Sequence, residues 1–402
     1  MDFHHSQRAR DLLDRVTRFI AAEIVPVEES YFRELREQNH GGDWRRWEVS
    51  PLVDELKAKA KAARLWNLFY PGTLTVADYA PLAEAMGHSL LAPEIFNCNA
   101  PDSGNMEVLH HYGSDEQKKR WLAPLMEGEI RSVFCMTEPD VASSDATNIH
   151  ATIEQQGDEL VLHGLKWWAT GLGHPRAKIA IFMGRSNPGN DRHHQHSMVL
   201  VPLDTPGVHI ERMLTAFGEY DEPYGHGEVT FDDVRVPASN LIGGFGRGFE
   251  IAQGRLGPGR IHHCMRAIGA AERALQLMII RAMSRVAFGK PLIDLGGNRE
   301  RVAQLRIAID QARLLTLHAA WKIDQEGAAG AMKEISEIKV VAPNVLQQVV
   351  DEAIQMFGGA GVSNDLPLTA LFAMARALRI ADGPDAVHLG VIARQELRKY
   401  RS

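Results

Sequence analysis

The spacing of apolar residues along the chain changes character twice. Residues 1–133 carry a helical period. DLLDRVTRFIAAEIVPVEESYF has apolar positions three and four apart, which predicts a helix ending near Pro26. VDELKAKAKAARLWNLF predicts a second amphipathic helix, with Ser50 and Pro51 as its start signal. In SDEQKKRWLAPLMEG, Ser114 with Gln117 three residues on has the form of a capping box. From residue 134 to 243 the period shortens towards two. ATIEQQGDELVLHG predicts a hairpin around Gly157-Asp158, and AKIAIFMG, SMVLVPLD and GEVTFDDVRVP predict more strands, about seven in all. RSNPGNDRHHQH, residues 185–196, reads as an exposed turn. Residues 244–402 return to a helical period, with four or five long helices broken at GKPLIDLGGN, EGAAG, FGGAGVSNDLP and ADGPD. The expected fold is α+β and multidomain: an N-terminal α-helical domain (1–133), a small middle β-barrel or sandwich (134–243) and a C-terminal four-helix bundle (244–402).

Composition narrows the functional classes. A chain of 402 residues with 45% hydrophobic and 24% charged positions is long enough for two or three domains with a sizeable core. Its net charge of −7 disfavours nucleic acid as the main partner, while leaving room for a local basic groove around a phosphorylated ligand. Cys98, Cys135 and Cys264 are odd in number and far apart. They argue against a disulfide framework or structural zinc and fit a reducing, cytoplasmic compartment. The N-terminus lacks a signal-peptide core, and no run of about 18 apolar residues predicts a membrane span. His193, His194 and His196 lie in the expected turn without an HExxH motif, so no metal is expected. GGFGRGF follows GxGxG rather than GxGxxG and lies outside any βαβ pattern, which argues against a dinucleotide fold of that type.

Two stretches carry candidate chemistry. FCMTEPDVASSD (134–145) places short hydroxyl residues and acids after an apolar segment, and KWWAT (166–170) sets two large aromatics beside a hydroxyl. Thr137, Ser144 and Thr170 can hydrogen-bond a polar heterocycle whose flat face a tryptophan covers, which suits a flavin. Loop caps and core tryptophans would leave the same pattern. Neighbouring strand residues face opposite sides, so at most one of Trp167 and Trp168 should meet the ring. ADGPDAVH reads from its pattern as a helix start, with Asp382 near the cap and Pro384 in the first turn.

FCMTEPDVASSD, GLKWWATG, FDDVRVPASNLIGGFGRGF, SRVAFGKPL, IQMFGGAGV and ADGPDAVHLGVIARQELRKY occur in an order that resembles the acyl-CoA dehydrogenase family over nearly the whole chain. ELKAKAKAARLWNLFYP, APDSGNMEVLHHYG and ADGPDAVH resemble one branch, often fused behind an aminoglycoside-phosphotransferase-like kinase domain, of which these residues contain no segment. The resemblance implies FAD as cofactor, held by Phe134, Met136, Thr137, Ser143, Ser144, Trp168 and Thr170, and, across a subunit interface, by Arg285, Phe288, Gln355, Gly358 and Gly359. It implies Asp382 as the α-proton base, where the family commonly carries Glu in YEGT, and Arg260 beside base and substrate. The other family position for a base falls near Gly259, which has no acid. It further implies an acyl-CoA substrate oxidised to 2-enoyl-CoA, of medium or long chain or 4-hydroxylated, an electron-transfer flavoprotein as acceptor, and a homotetramer. Ser143 stands where the family has Gly, a costly change if its φ were positive. Gly257 and Gly259 replace larger polar residues, and Leu295-Gly296 replaces His-Gln. A nitroalkane-oxidase-like flavin oxidase and a non-catalytic acyl-CoA-binding relative are the alternative readings of the same fold.

Overall fold

The computed structural model describes residues 4–400, apart from the side chains of Leu256 and Pro258. The N-terminal part forms α1 (Gln7–Phe19), α2 (Val25–Glu37), α3 (Pro51–Ala62), α4 (Val76–Gly87), α5 (Ala92–Ile95), α6 (Asp102–Tyr112), α7 (Asp115–Gln117) and α8 (Ala123–Glu127). The first helix does not stop near Pro26. A wider π turn, Ile20–Ile24, closed by the Val25 N–H on the Ile20 carbonyl, leads straight into α2. Pro26 then falls in a first turn, where a missing N–H costs little. The capping box forms as read, with Ser114 and Gln117 each bonding the other's backbone.

The middle part holds β1 (Arg131–Cys135), β2 (Thr152–Gln156), β3 (Glu159–Thr170), β4 (Ala177–Arg185), β5 (His196–Pro202), β6 (Val208–Leu214), β7 (His226–Pro237) and the short β8 (Leu241–Ile242). They form one eight-stranded sheet in the order β6-β7-β3-β2-β4-β5-β8, with β1 parallel to β4. The eighth strand, only two residues long, is too short to leave a periodic signal. His196 is not in the exposed turn: it opens β5 and is fully buried.

The C-terminal part comprises α9 (Gly248–Ser284), a hairpin of β9 (Val286–Ala287) and β10 (Lys290–Pro291), α10 (Asn298–Gly330), α11 (Met332–Phe357), α12 (Leu368–Leu378) and α13 (Asp385–Arg398). Packing groups the chain into two compact units. One gathers the segment up to Val25, Gly72–Pro93 and the chain from Gly257 onward; the other gathers Pro26–Pro71 and Glu94–Leu256. In the first, buried Ile261, Met265, Ile268 and Leu275 recur at helical spacing on α9 and share a core with Ile309 of α10 and Ile338 and Leu346 of α11. Helices α4 and α9 cross at two glycines. A Cβ at Gly87 would lie 2.2 Å from the Arg266 carbonyl oxygen, and one at Gly269 would lie 1.9 Å from that of Glu84. This crossing sets where the side chains of α9 point. In the second unit, Phe182 and Phe231 meet at 4.6 Å between ring centres within the sheet's core. Among the described residues, no helix is long and apolar enough to cross a membrane.

Candidate active site

In the β unit, the KWWAT segment is bent by a bulge. The β3–β7 register shifts between Lys166 and Ala169, and Trp168 sits at φ 51°. A bulge re-aims side chains out of strict alternation. It leaves Trp168 41% exposed, while Trp167 is half-buried and donates its backbone N–H to the Thr137 carbonyl at 3.0 Å. Trp168 packs beside His226, whose Nδ1 lies 3.0 Å from the Thr170 hydroxyl. Phe134, Met136 and Thr137 are half-buried on the adjoining strand end, and Ser144 is exposed. Ser143 has no positive φ, so its replacement of glycine carries no backbone strain; its hydroxyl accepts from the Glu138 N–H at 3.0 Å and closes the loop. The aromatic face, hydroxyls and loop backbone thus belong to one surface of one unit.

What fixes that surface is a buried pair not singled out from sequence. The Lys166 ammonium is fully buried and donates to the Met136 carbonyl (3.0 Å), the Met183 carbonyl (2.7 Å) and Glu138 Oε1 (2.7 Å). Glu138 also accepts from the backbone N–H groups of His150 and Ala151. Burial pushes the Glu138 carboxyl up, but Lys166 and those N–H groups outweigh it and hold the group below its ordinary range. The signal was present: both residues lie inside the two quoted motifs, and a lysine within an apolar strand needs a partner.

A second polar layer lies behind Phe134. Arg255 stacks over the Phe134 ring at 4.1 Å and donates to Asn105, which donates to Ser132, which donates to Asp102. Arg131 bridges Asp102 (2.8 Å) and Glu94 (2.6 Å) in the buried core. Glu107 of α6 is buried, and burial pushes its carboxyl up to about 8 against the pull of Arg255. A carboxyl that stays protonated in the folded state makes stability fall as pH rises from the ordinary carboxylate range to about 8. Glu107→Gln is expected to remove that slope. Urea melts should show no gain at pH 4.5 and a gain of roughly 2–4 kcal/mol at pH 8.5; equal gains at both pH values would refute it.

In the helical unit, the ADGPD turn is held by three basic groups. Lys339 donates to the carbonyls of Leu378 (2.6 Å) and Ala381 (2.8 Å). Arg260 donates through Nε (3.2 Å) and Nη2 (3.0 Å) to the Asp382 carbonyl. His388 Nε2 lies 3.2 Å from the same carbonyl, which can only accept, so Nε2 carries the proton. Burial, with Arg260 and Lys339 nearby, pushes His388 down to about 4, so it is neutral at physiological pH. Asp382 is at φ 54° and Gly383 at φ 105°. Asp382 is not the helix cap: α13 begins at Asp385, with Pro384 as the residue before it. The Asp382 carboxylate is a quarter exposed, and its Oδ2 lies 3.6 Å from His263 Nε2. At Gly259 a Cβ would meet nothing within 4 Å, so the position lies in open space and carries no acid of its own.

The remaining sequence candidates gather elsewhere on the helical unit. Arg285 directly precedes β9, and Phe288 sits in the turn of the β9–β10 hairpin, where it is 96% exposed. Gln355 lies exposed near the end of α11, and Gly358 takes φ 64° just past it, a conformation that favours glycine. Among the described residues no group of His, Cys, Asp and Glu could hold a metal ion.

Comparison with known proteins settles what this arrangement belongs to. Residues 6–129, 133–234 and 246–397 match the N-terminal, middle and C-terminal domains of acyl-CoA dehydrogenase. Probable acyl-CoA dehydrogenase FadE2 of Mycobacterium tuberculosis is 52% identical over 100% of this chain and 98% of its own length. The chain belongs to the acyl-CoA dehydrogenase family. Acyl-CoA dehydrogenase family member 11 of Gallus gallus is 54% identical over 98% of this chain, which spans about half (51%) of that relative. Butyryl-CoA dehydrogenase from Megasphaera elsdenii superposes with a TM-score of 0.80 at 26% identity, covering 99% of this chain and 100% of its own. Acyl-CoA dehydrogenases are FAD-dependent oxidoreductases, and a solved structure of the same fold is PigA with FAD and proline, TM-score 0.84 at 24% identity over 98% of this chain and 99% of its own. The residues present fit FAD: an exposed indole fixed by a bulge suits a planar ring, and the hydroxyls beside it suit a polar edge.

Proposed function

We propose that the chain is an acyl-CoA dehydrogenase that forms 2-enoyl-CoA from medium- or long-chain acyl-CoA, 4-hydroxylated chains included, with Asp382 as the base. The observation that carries this reading is the Asp382 turn: a partly exposed carboxylate on a backbone fixed by Arg260, His388 and Lys339. Asp382 takes the α-proton, and the C–H electron pair becomes part of the new Cα=Cβ bond. FAD, when bound, supplies the acceptor for the hydride leaving Cβ. Phe134, Met136, Thr137, Ser143, Ser144, Trp168 and Thr170 would hold its ring end, and Arg285, Phe288, Gln355, Gly358 and Gly359 its adenine end from a second subunit. Arg260 would border the substrate while fixing the base's backbone.

The partners follow in the same reading. The exposed apolar side chains of Ile280, Met283, Val286 and Phe288 around Arg285 support a homo-oligomer, a tetramer by family resemblance. Electron-transfer flavoprotein is the proposed acceptor. Identities of 52–54% to acyl-CoA dehydrogenase family members 10 and 11 support membership of the branch resembled in sequence. Three buried thiols, Cys98, Cys135 and Cys264, support a cytoplasmic setting. Anaerobic titration tests the activity. Acyl-CoA of the right chain length should bleach the flavin stoichiometrically, with slow reoxidation by oxygen. Rapid peroxide formation from a substrate without CoA would favour an oxidase, and a purified protein without flavin absorbance would favour a non-catalytic relative.

A further inference from the structure

We propose that His263 is a positioning residue for Asp382: its Nε2–H faces Oδ2 and turns Oδ1 of the short carboxylate towards the α-carbon. The inference rests on Asp382 being the base. Its basis is a relay along one face of α9. Arg266 Nη2 lies 3.2 Å from His263 Nδ1, and His263 Nε2 lies 3.6 Å from Asp382 Oδ2. A guanidinium only donates, so Nδ1 must accept and the ring proton must sit on Nε2. The imidazole therefore presents a donor to the carboxylate. The separation is just beyond hydrogen-bond length, and catalytic contacts of this kind shorten in the substrate complex.

The relay has a structural anchor and a chemical need. Arg266 is placed by the close α4–α9 crossing, where Gly87 admits its backbone. On the neighbouring face of α9, His262 packs edge-on against Tyr79 at 4.7 Å and is buried, whereas the adjacent His263 lies against Asp382. Asp lacks one methylene of the Glu more common at this position, so its carboxylate has less reach and needs its orientation set from outside. The Arg260 and His388 side chains donate to the Asp382 carbonyl, whereas His263 faces the carboxylate. Among the described residues, the charged or titratable groups around the pair include Arg260, His262, Cys264 and Arg266 on α9, Lys339 on α11 and His388 on α13.

The test separates this role from the base itself by reading proton abstraction alone. The probe is an acyl-CoA analogue with sulfur in place of the β-carbon, which can lose an α-proton but cannot be oxidised. Holoenzyme is incubated with it in D2O, and α-deuteration is followed by mass spectrometry against pH. His263→Phe is expected to slow exchange about 10- to 100-fold by misorienting the carboxylate. It should also move the exchange midpoint up by about one pH unit, because a donor that stabilises the charged carboxylate is lost. His263→Gln, which keeps a donor, should recover to within about threefold of wild type. Arg266→Met, which releases the tautomer while keeping the imidazole, should slow exchange about threefold and gives a second reading if His263→Phe fails to fold. Wild-type exchange and midpoint in His263→Phe, or His263→Gln no better than His263→Phe, would overturn the proposal. Undiminished exchange in Asp382→Asn would instead overturn the base.

Discussion

Asp382→Asn is expected to bind FAD normally and to be reduced by acyl-CoA about 10³-fold more slowly, the range of a lost general base. Asparagine is the informative replacement because of the backbone. Asp382 occupies the left-handed region at φ 54°, which asparagine tolerates and alanine resists. The Arg260 and His388 contacts go to the carbonyl, which the substitution leaves in place. Turn and cofactor wall should therefore persist while the proton acceptor is lost. Stopped-flow reduction under anaerobic conditions is the measurement, with the flavin spectrum as the control for occupancy. Asp382→Glu should retain part of the rate, since the longer arm can still reach but no longer matches the His263 geometry. Near-normal reduction in Asp382→Asn would move the base elsewhere.

The order of helix, sheet and helix was legible because long periodic segments announce their type. The capping box at Ser114 and the hairpin at Gly157-Asp158 were legible for the same local reason. What escaped depended on contacts distant in sequence. The run through Pro26 depends on a π turn, which has no residue signature. Alternation allows only one of Trp167 and Trp168 to face the ring and the resemblance points to Trp168, but the structure exposes Trp168 through a bulge that breaks that alternation. The ADGPD motif reads as a cap from its residue types, and only the positive φ of Asp382 and Gly383 removes Asp382 from the helix. His263, His388 and Lys339 converge on that turn from three helices, and no spacing rule joins positions up to 125 residues apart, as His263 and His388 are. The proposed base is legible in the ADGPD motif; the groups gathered around it are a product of the bundle's packing.

The largest effect expected from a residue that need not touch substrate is at Lys166. Lys166→Met keeps the volume and apolar stem but removes the donor shared by the Met136 and Met183 carbonyls and the Glu138 carboxylate. Breaking a buried ion pair by removing one partner costs about 3–5 kcal/mol, because the other charge stays buried. Glu138 keeps the His150 and Ala151 N–H groups, which offsets part of that cost. The loss should be felt where the pair acts. Met136 lies within the loop read as the flavin cradle, and the Thr137 carbonyl next to it anchors Trp167. FAD content per chain should therefore fall together with the urea midpoint, and added FAD should restore part of the stability by mass action. Adding Glu138→Gln to Lys166→Met should recover some of the loss, since the stranded charge is gone; residues in one network couple non-additively. If Lys166→Met costs less than about 1 kcal/mol and keeps full flavin, the loop is held by its backbone alone and the buried pair is incidental to the cofactor wall.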